Sequence, residues 1–137
     1  MKNFVTFNAD FPDDSEWTES GGLLVPEGRE VADFISSALS RRGLDCSSPE
    51  QHSFYGWAFE VNTGTRFRCV LQFADPWLLI CDSRVSLKDR LLGRRHHKEH
   101  KTVLDAINSV LQRDARFSAV KWFTREGYET SPEAGAG

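Results

Sequence analysis

Between residues 54 and 73 apolar and polar side chains alternate with a period of two, and this pattern most narrows the folds open to the chain. Tyr55, Trp57, Phe59 and Val61 fall on one side of the first run, with Phe54, Gly56, Ala58 and Glu60 on the other. After Asn62-Thr63-Gly64, Phe67, Cys69, Leu71 and Phe73 alternate with Arg66, Arg68, Val70 and Gln72. Successive side chains of a strand point to opposite faces, so two such runs joined by a Gly-containing turn predict a hairpin with one aromatic, core-facing side. Ala74-Asp75-Pro76 predicts a second reversal. The apolar run Trp77-Leu78-Leu79-Ile80-Cys81 then predicts a third strand, covered on both faces or central in the sheet.

The flanking segments change period. Val31, Phe34, Ile35, Ala38 and Leu39 recur at helical spacing. Pro26 suits the first turn of that helix, Glu27 and Glu30 its positive end, and Arg41-Arg42-Gly43 its stop. Val103, Leu104, Ile107, Val110 and Leu111 mark a second helix from about Glu99 to near Arg113-Asp114. A final strand, residues 117–123, is expected to place Phe117, Ala119, Lys121 and Phe123 on one face and Ser118, Val120 and Trp122 on the other; residues 3–7 form a candidate extra strand. The expected fold is α+β, a two-layer sandwich of order α-β-β-β-α-β, with a mainly antiparallel sheet and two helices packed on one face. It forms one domain over residues 1–130, with an acidic arm or irregular loop at 8–25 and a disordered tail at 131–137. No Gly-rich strand-to-helix loop occurs, which excludes a doubly wound nucleotide-binding fold.

A chain of 137 residues buries enough surface to fold without disulfides or metal. Cys46, Cys69 and Cys81 are odd in number and lack paired spacing, as expected of reduced thiols in a cytoplasm, with Cys69 and Cys81 inside apolar runs. The first residues lack the apolar stretch of a secretory signal, and no run approaches the roughly 20 apolar residues of a membrane span. A cytoplasmic protein without membrane contact is expected.

The net charge of −3 argues against a whole-surface nucleic-acid binder, but it hides two segments of opposite sign. Residues 9–30 hold seven acidic residues against Arg29 alone, a local charge of −6; residues 84–101 hold seven basic residues against Asp89 and Glu99, a local charge of +5. In the basic segment, His96 and His100 are four apart and would share a helix face. A zinc site needs three or four ligands, nothing in the spacing nominates the others, and Arg94, Arg95, Lys98 and Lys101 repel a dication, so neither metal nor cofactor is assigned to His96, His97 and His100. Their expected role is a solvated helix start that gains charge below about pH 6.5.

Catalysis finds little support. Cys46 is the least implausible nucleophile, no nucleophile elbow, metal helix or phosphate-binding loop occurs, and the carboxylates of Asp13, Asp14 and Glu16 share one solvated arm. No catalytic residue is assigned. The acidic arm instead frames two rings, and Phe11, Asp13, Asp14, Glu16, Trp17 and Glu19 read as a partner-binding surface: aromatic anchors inside charges that attract a basic protein. The alternative has both rings folded back onto the core. Trp122, with Trp57 and Trp77, extends the expectation to an exposed aromatic sheet face, a surface for that partner or for a homodimer.

In size, acidity and element order the chain resembles two groups of small bacterial proteins, immunity proteins that neutralise toxins and chaperones of secreted effectors. The resemblance implies a non-enzymatic protein that sequesters one partner. The rival expectation is nucleic-acid binding through Arg90, Arg94, Arg95, Lys98 and Lys101, whose charges would displace counterions from phosphates.

Overall fold

A computed structural model describes residues 1–53, 56–83 and 94–130, with residues 94–96 described as backbone only. The hairpin forms as the alternation requires. Strand β6 (Gly56–Asn62) pairs antiparallel with β7 (Arg66–Gln72), Phe59 opposite Cys69 and Val61 opposite Phe67, and β7 pairs with β8 (Trp77–Ser83). Gly64 adopts φ 98° in the connecting turn, and its N–H donates to Asn62 Oδ1 at 3.0 Å. Phe54 and Tyr55 lie outside the described residues.

The meander does not stand alone. Strand β1 (Phe4–Ala9) inserts between β8 and β9 (Phe117–Phe123), antiparallel to both, so the candidate extra strand joins the last strand to the rest of the sheet. At the opposite edge β4 (Asp45–Cys46) and β5 (Glu50–His52) both pair with β6, giving the order β4-β6-β7-β8-β1-β9 with β5 beside β4. A separate ribbon of β2 (Glu16–Trp17) and β3 (Leu23–Val25) precedes the first helix. The expected order α-β-β-β-α-β, with its candidate extra strand at residues 3–7, thus omitted β2, β3, β4 and β5, each only two or three residues long and too short to show a period.

The protein has mixed α/β content and a mainly antiparallel sheet, with three helices among the described residues: α1 (Arg29–Arg41), α2 (Arg94–Arg113) and α3 (Arg125–Thr130). Helix α1 starts three residues after Pro26, and α2 starts five residues before Glu99. The stop of α1 is as expected: Gly43 takes φ 92°, and the Leu44 N–H reaches back to the Leu39 carbonyl at 3.2 Å. Val31, Ile35 and Leu39 of α1 and Val103, Ile107 and Leu111 of α2 share one core with Phe7, Phe59, Val61, Phe67, Leu71 and Leu79 of the sheet. On the other face Phe4, Leu78 and Phe123 form a smaller cluster, covered by Tyr128 of α3. Helices α1 and α2 thus share the main core, and the short α3 lies against the smaller cluster.

The last strand breaks its alternation. Phe117 and Val120 both enter the main core, whereas Phe123 enters the smaller cluster. The register with β1 shifts between Thr6 and Asn8, where Ala119 sits at φ 52°. A bulge with an extra residue reverses the parity of everything after it, so Trp122 packs against the main core and Ala119 faces solvent. The tail, residues 131–137, lies outside the described residues.

Candidate partner-binding surfaces

The acidic arm is folded rather than loose, and its carboxylates have separate tasks. Asp14 Oδ1 accepts the Gly28 N–H at 2.9 Å and Oδ2 accepts the Glu30 N–H at 2.8 Å. These donors have no partner within the helix, so Asp14 caps α1 from outside and adds negative charge at its positive end. Gly28 allows this turn because it sits at φ 119°, and a Cβ there would come 2.9 Å from the Trp77 ring. Trp57 fixes the same corner by donating Nε1–H to the Pro26 carbonyl at 3.1 Å, beneath the Arg29 guanidinium at 4.7 Å.

Asp13 works on the ribbon instead. Its Oδ1 accepts both the N–H and the hydroxyl of Ser15, at 2.9 and 2.6 Å, and the Ser15 hydroxyl oxygen accepts Trp17 Nε1–H at 3.1 Å. These bonds hold the Asp13 carboxyl below its ordinary range. Glu27 faces it from the loop before α1. Partial burial first, then the charge of Asp13 and a hydrogen bond with it, push Glu27 from its ordinary 4.5 to about 7. Asp13, Ser15 and Trp17 thus form a chain that orients the indole, with Glu27 at its far end.

The two rings of the arm part company. Phe11 folds inward, its centroid 5.4 Å from Phe117 and 5.8 Å from Phe34, under the Arg116 guanidinium at 4.4 Å. Trp17 remains 60% exposed on the ribbon, next to exposed Glu16, and Leu24 on the facing strand is 54% exposed. Glu19 is exposed in the ribbon turn, where the Thr18 N–H donates to the Gly22 carbonyl at 2.7 Å. Leu24 was missed at the sequence level because a three-residue strand carries too little periodicity to assign a face.

The aromatic sheet face is corrected. Trp57 and Trp77 share the parity of Phe59 and Leu79 and are buried in the main core. Trp122 is half-buried, donates Nε1–H to Asn108 Oδ1 at 2.9 Å, and lines a groove of ≈ 380 Å³ with Lys2, His97, Lys101 and Leu104. The structure therefore brings Trp122 to the basic segment, and not to the acidic ribbon.

Of that segment, Arg90 lies outside the described residues, and Arg94 and Arg95 begin the backbone of α2, which has no acidic residue in its first turn. Lys98 and Lys101 are exposed, and Lys101 pairs with Asp105 at 2.7 Å. His97 is exposed too, but His100 turns into the core, its Nε2 2.9 Å from the Cys81 carbonyl oxygen and its ring stacked on Phe67 at 5.0 Å. The expected solvated histidine cluster is thus corrected at His100: the apolar stripe of α2 extends one turn further toward its N-terminus than Val103. Among the described residues no group of three or more His, Cys, Asp or Glu side chains is placed to hold a metal ion, and no helix is long and apolar enough to cross a membrane. Comparison of the chain with protein-family models, curated proteins and solved structures finds no match.

Proposed function

We propose that the protein is a non-enzymatic binding protein that sequesters a basic protein partner, in the manner of an immunity or inhibitor protein. Trp17 is the anchor, Leu24 adds apolar area, and Glu16 and Glu19 supply the charges that attract the partner. One observation carries this reading: an indole left 60% exposed is held in place by a side-chain hydrogen-bond chain on an acidic ribbon. Fixing a tryptophan before association lowers the ordering cost of binding, and tryptophan is among the residues that dominate interface energies. Phe11, Asp13 and Asp14 support the surface from behind. The architecture that presents it is best taken as a two-layer sandwich, supported by the core that α1 and α2 share with one face of the sheet.

The test is capture of a defined basic protein by the immobilised chain, compared with Trp17→Ala and with Glu16→Lys/Glu19→Lys. Retention that the wild type shows at low salt and both variants lose supports the proposal. Equal retention by all three proteins overturns it.

The groove supports a second reading, binding of single-stranded nucleic acid. Trp122 beside Lys2 and Lys101 combines a ring with cationic neighbours, the arrangement on which bases stack. A gel-shift titration at two salt concentrations separates the readings: salt-sensitive binding lost in Lys98→Glu/Lys101→Glu favours nucleic acid.

A further inference from the structure

Cys69 and Cys81 stand directly opposite each other on β7 and β8, and both are sealed in the core. In an antiparallel strand a residue sends its N–H and C=O to the same side. The Cys81 N–H donates to the Asn3 carbonyl at 3.1 Å, and the Cys81 carbonyl accepts Asn3 Nδ2–H at 3.1 Å. Its backbone therefore faces away from β7, which makes Cys69 and Cys81 a non-hydrogen-bonded pair. Such pairs bring their Cα atoms to about 4.5 Å and their side chains closest together. A disulfide spans Cα separations of about 4.4–6.8 Å.

We propose that Cys69 and Cys81 are a reversible oxidation site that closes a cross-strand disulfide, with hydrogen peroxide as the oxidant. Cys81 is the attacking sulfur because the His100 imidazole lies against this residue, its Nε2 2.9 Å from the Cys81 carbonyl oxygen; the neighbouring Cys69 thiol and then His100 also hold the Cys81 thiol below its ordinary value against the cost of burial. The Cys81 thiolate attacks one peroxide oxygen and the O–O bond breaks. The departing hydroxide takes the proton that Cys81 gave up to His100 and leaves as water, and Cys81 becomes a sulfenic acid. Cys69 sulfur then attacks Cys81 sulfur, the S–O bond breaks, and hydroxide carries off the Cys69 proton as a second water. Two electrons pass from the thiol pair to one peroxide. Because both sulfurs are buried, the reaction waits on local opening of the sheet and favours a small oxidant over a protein disulfide.

The test uses the full chain with Cys46→Ser, which removes the third thiol. Native protein is exposed to hydrogen peroxide and digested without reductant by a protease that cuts before Asp75, between the two cysteines. The expected product is a single cross-linked species lighter by two hydrogens, separated into two peptides by dithiothreitol. Cys69→Ser should stop at a sulfenic acid on Cys81 that dimedone traps. Retention of both free thiols by native wild type, under exposure that oxidises the urea-denatured chain, overturns the proposal and needs no variant to fold. Direct conversion of Cys81 to sulfinic acid with Cys69 present also overturns it.

Discussion

Asp14 caps α1 from sixteen residues before Glu30, whose N–H it accepts at 2.8 Å. The same carboxylate accepts the Gly28 N–H, so one side chain closes the helix and ties the acidic ribbon to it. Loss of a capping side chain costs about 1 kcal/mol. Asp14→Ala is expected to lower unfolding free energy by about 1–2 kcal/mol and to speed amide exchange at Gly28 and Glu30, with Asp14→Asn recovering about half of the loss. Urea titration and hydrogen exchange measure both; a fully stable Asp14→Ala refutes the cap.

Glu27 sets a pH dependence of definite sign. Its carboxyl is raised in the folded protein from 4.5 to about 7. Between those values the folded state binds more protons than the unfolded chain, so this group's contribution to stability falls as pH rises through the window. Glu27→Gln removes that contribution: the gain over wild type should be larger at pH 8 than at pH 5. A pH-independent difference between the two proteins would contradict the assignment.

Ala119 occupies the left-handed region at φ 52° in the β9 bulge. This conformation costs about 1–2 kcal/mol for a residue with a Cβ and nothing comparable for glycine, which loses part of that gain to unfolded-chain entropy. Ala119→Gly should therefore be neutral or stabilising by up to about 1 kcal/mol, whereas Ala119→Val should destabilise by about 1–2 kcal/mol. Thermal denaturation decides, and a more stable valine variant would rule out the bulge.

Trp17 separates binding from stability. Its ring is 60% exposed and its indole N–H bonds to Ser15, two residues before it in the chain, so Trp17→Ala should change unfolding free energy by less than about 0.5 kcal/mol. Tryptophan fluorescence should nonetheless report partner association in wild type, quenched or shifted on binding. Loss of fold in Trp17→Ala would make the residue structural.

What could be read from the chain was periodic. The faces of β6 and β7 and the stripes of α1 and α2 follow from side-chain spacing alone, because a strand or helix repeats its environment every two or every three to four residues. The ends Gly43 and Gly64 were legible for a similar reason, since the local backbone demands those residues. The relationships that make the candidate site are between distant positions. Nothing near Asp14 indicates that its carboxylate reaches Glu30, and nothing near Cys81 indicates that Asn3 claims its backbone and turns its thiol side toward Cys69. One extra residue at the β9 bulge reverses which of Trp122 and Phe123 meets the main core. Sequence by itself determined which residues share a face in β6, β7, α1 and α2. Tertiary structure decided which faces meet and which aromatic ring stays in water, because pairing energy is gained only when segments far apart in the chain are brought together.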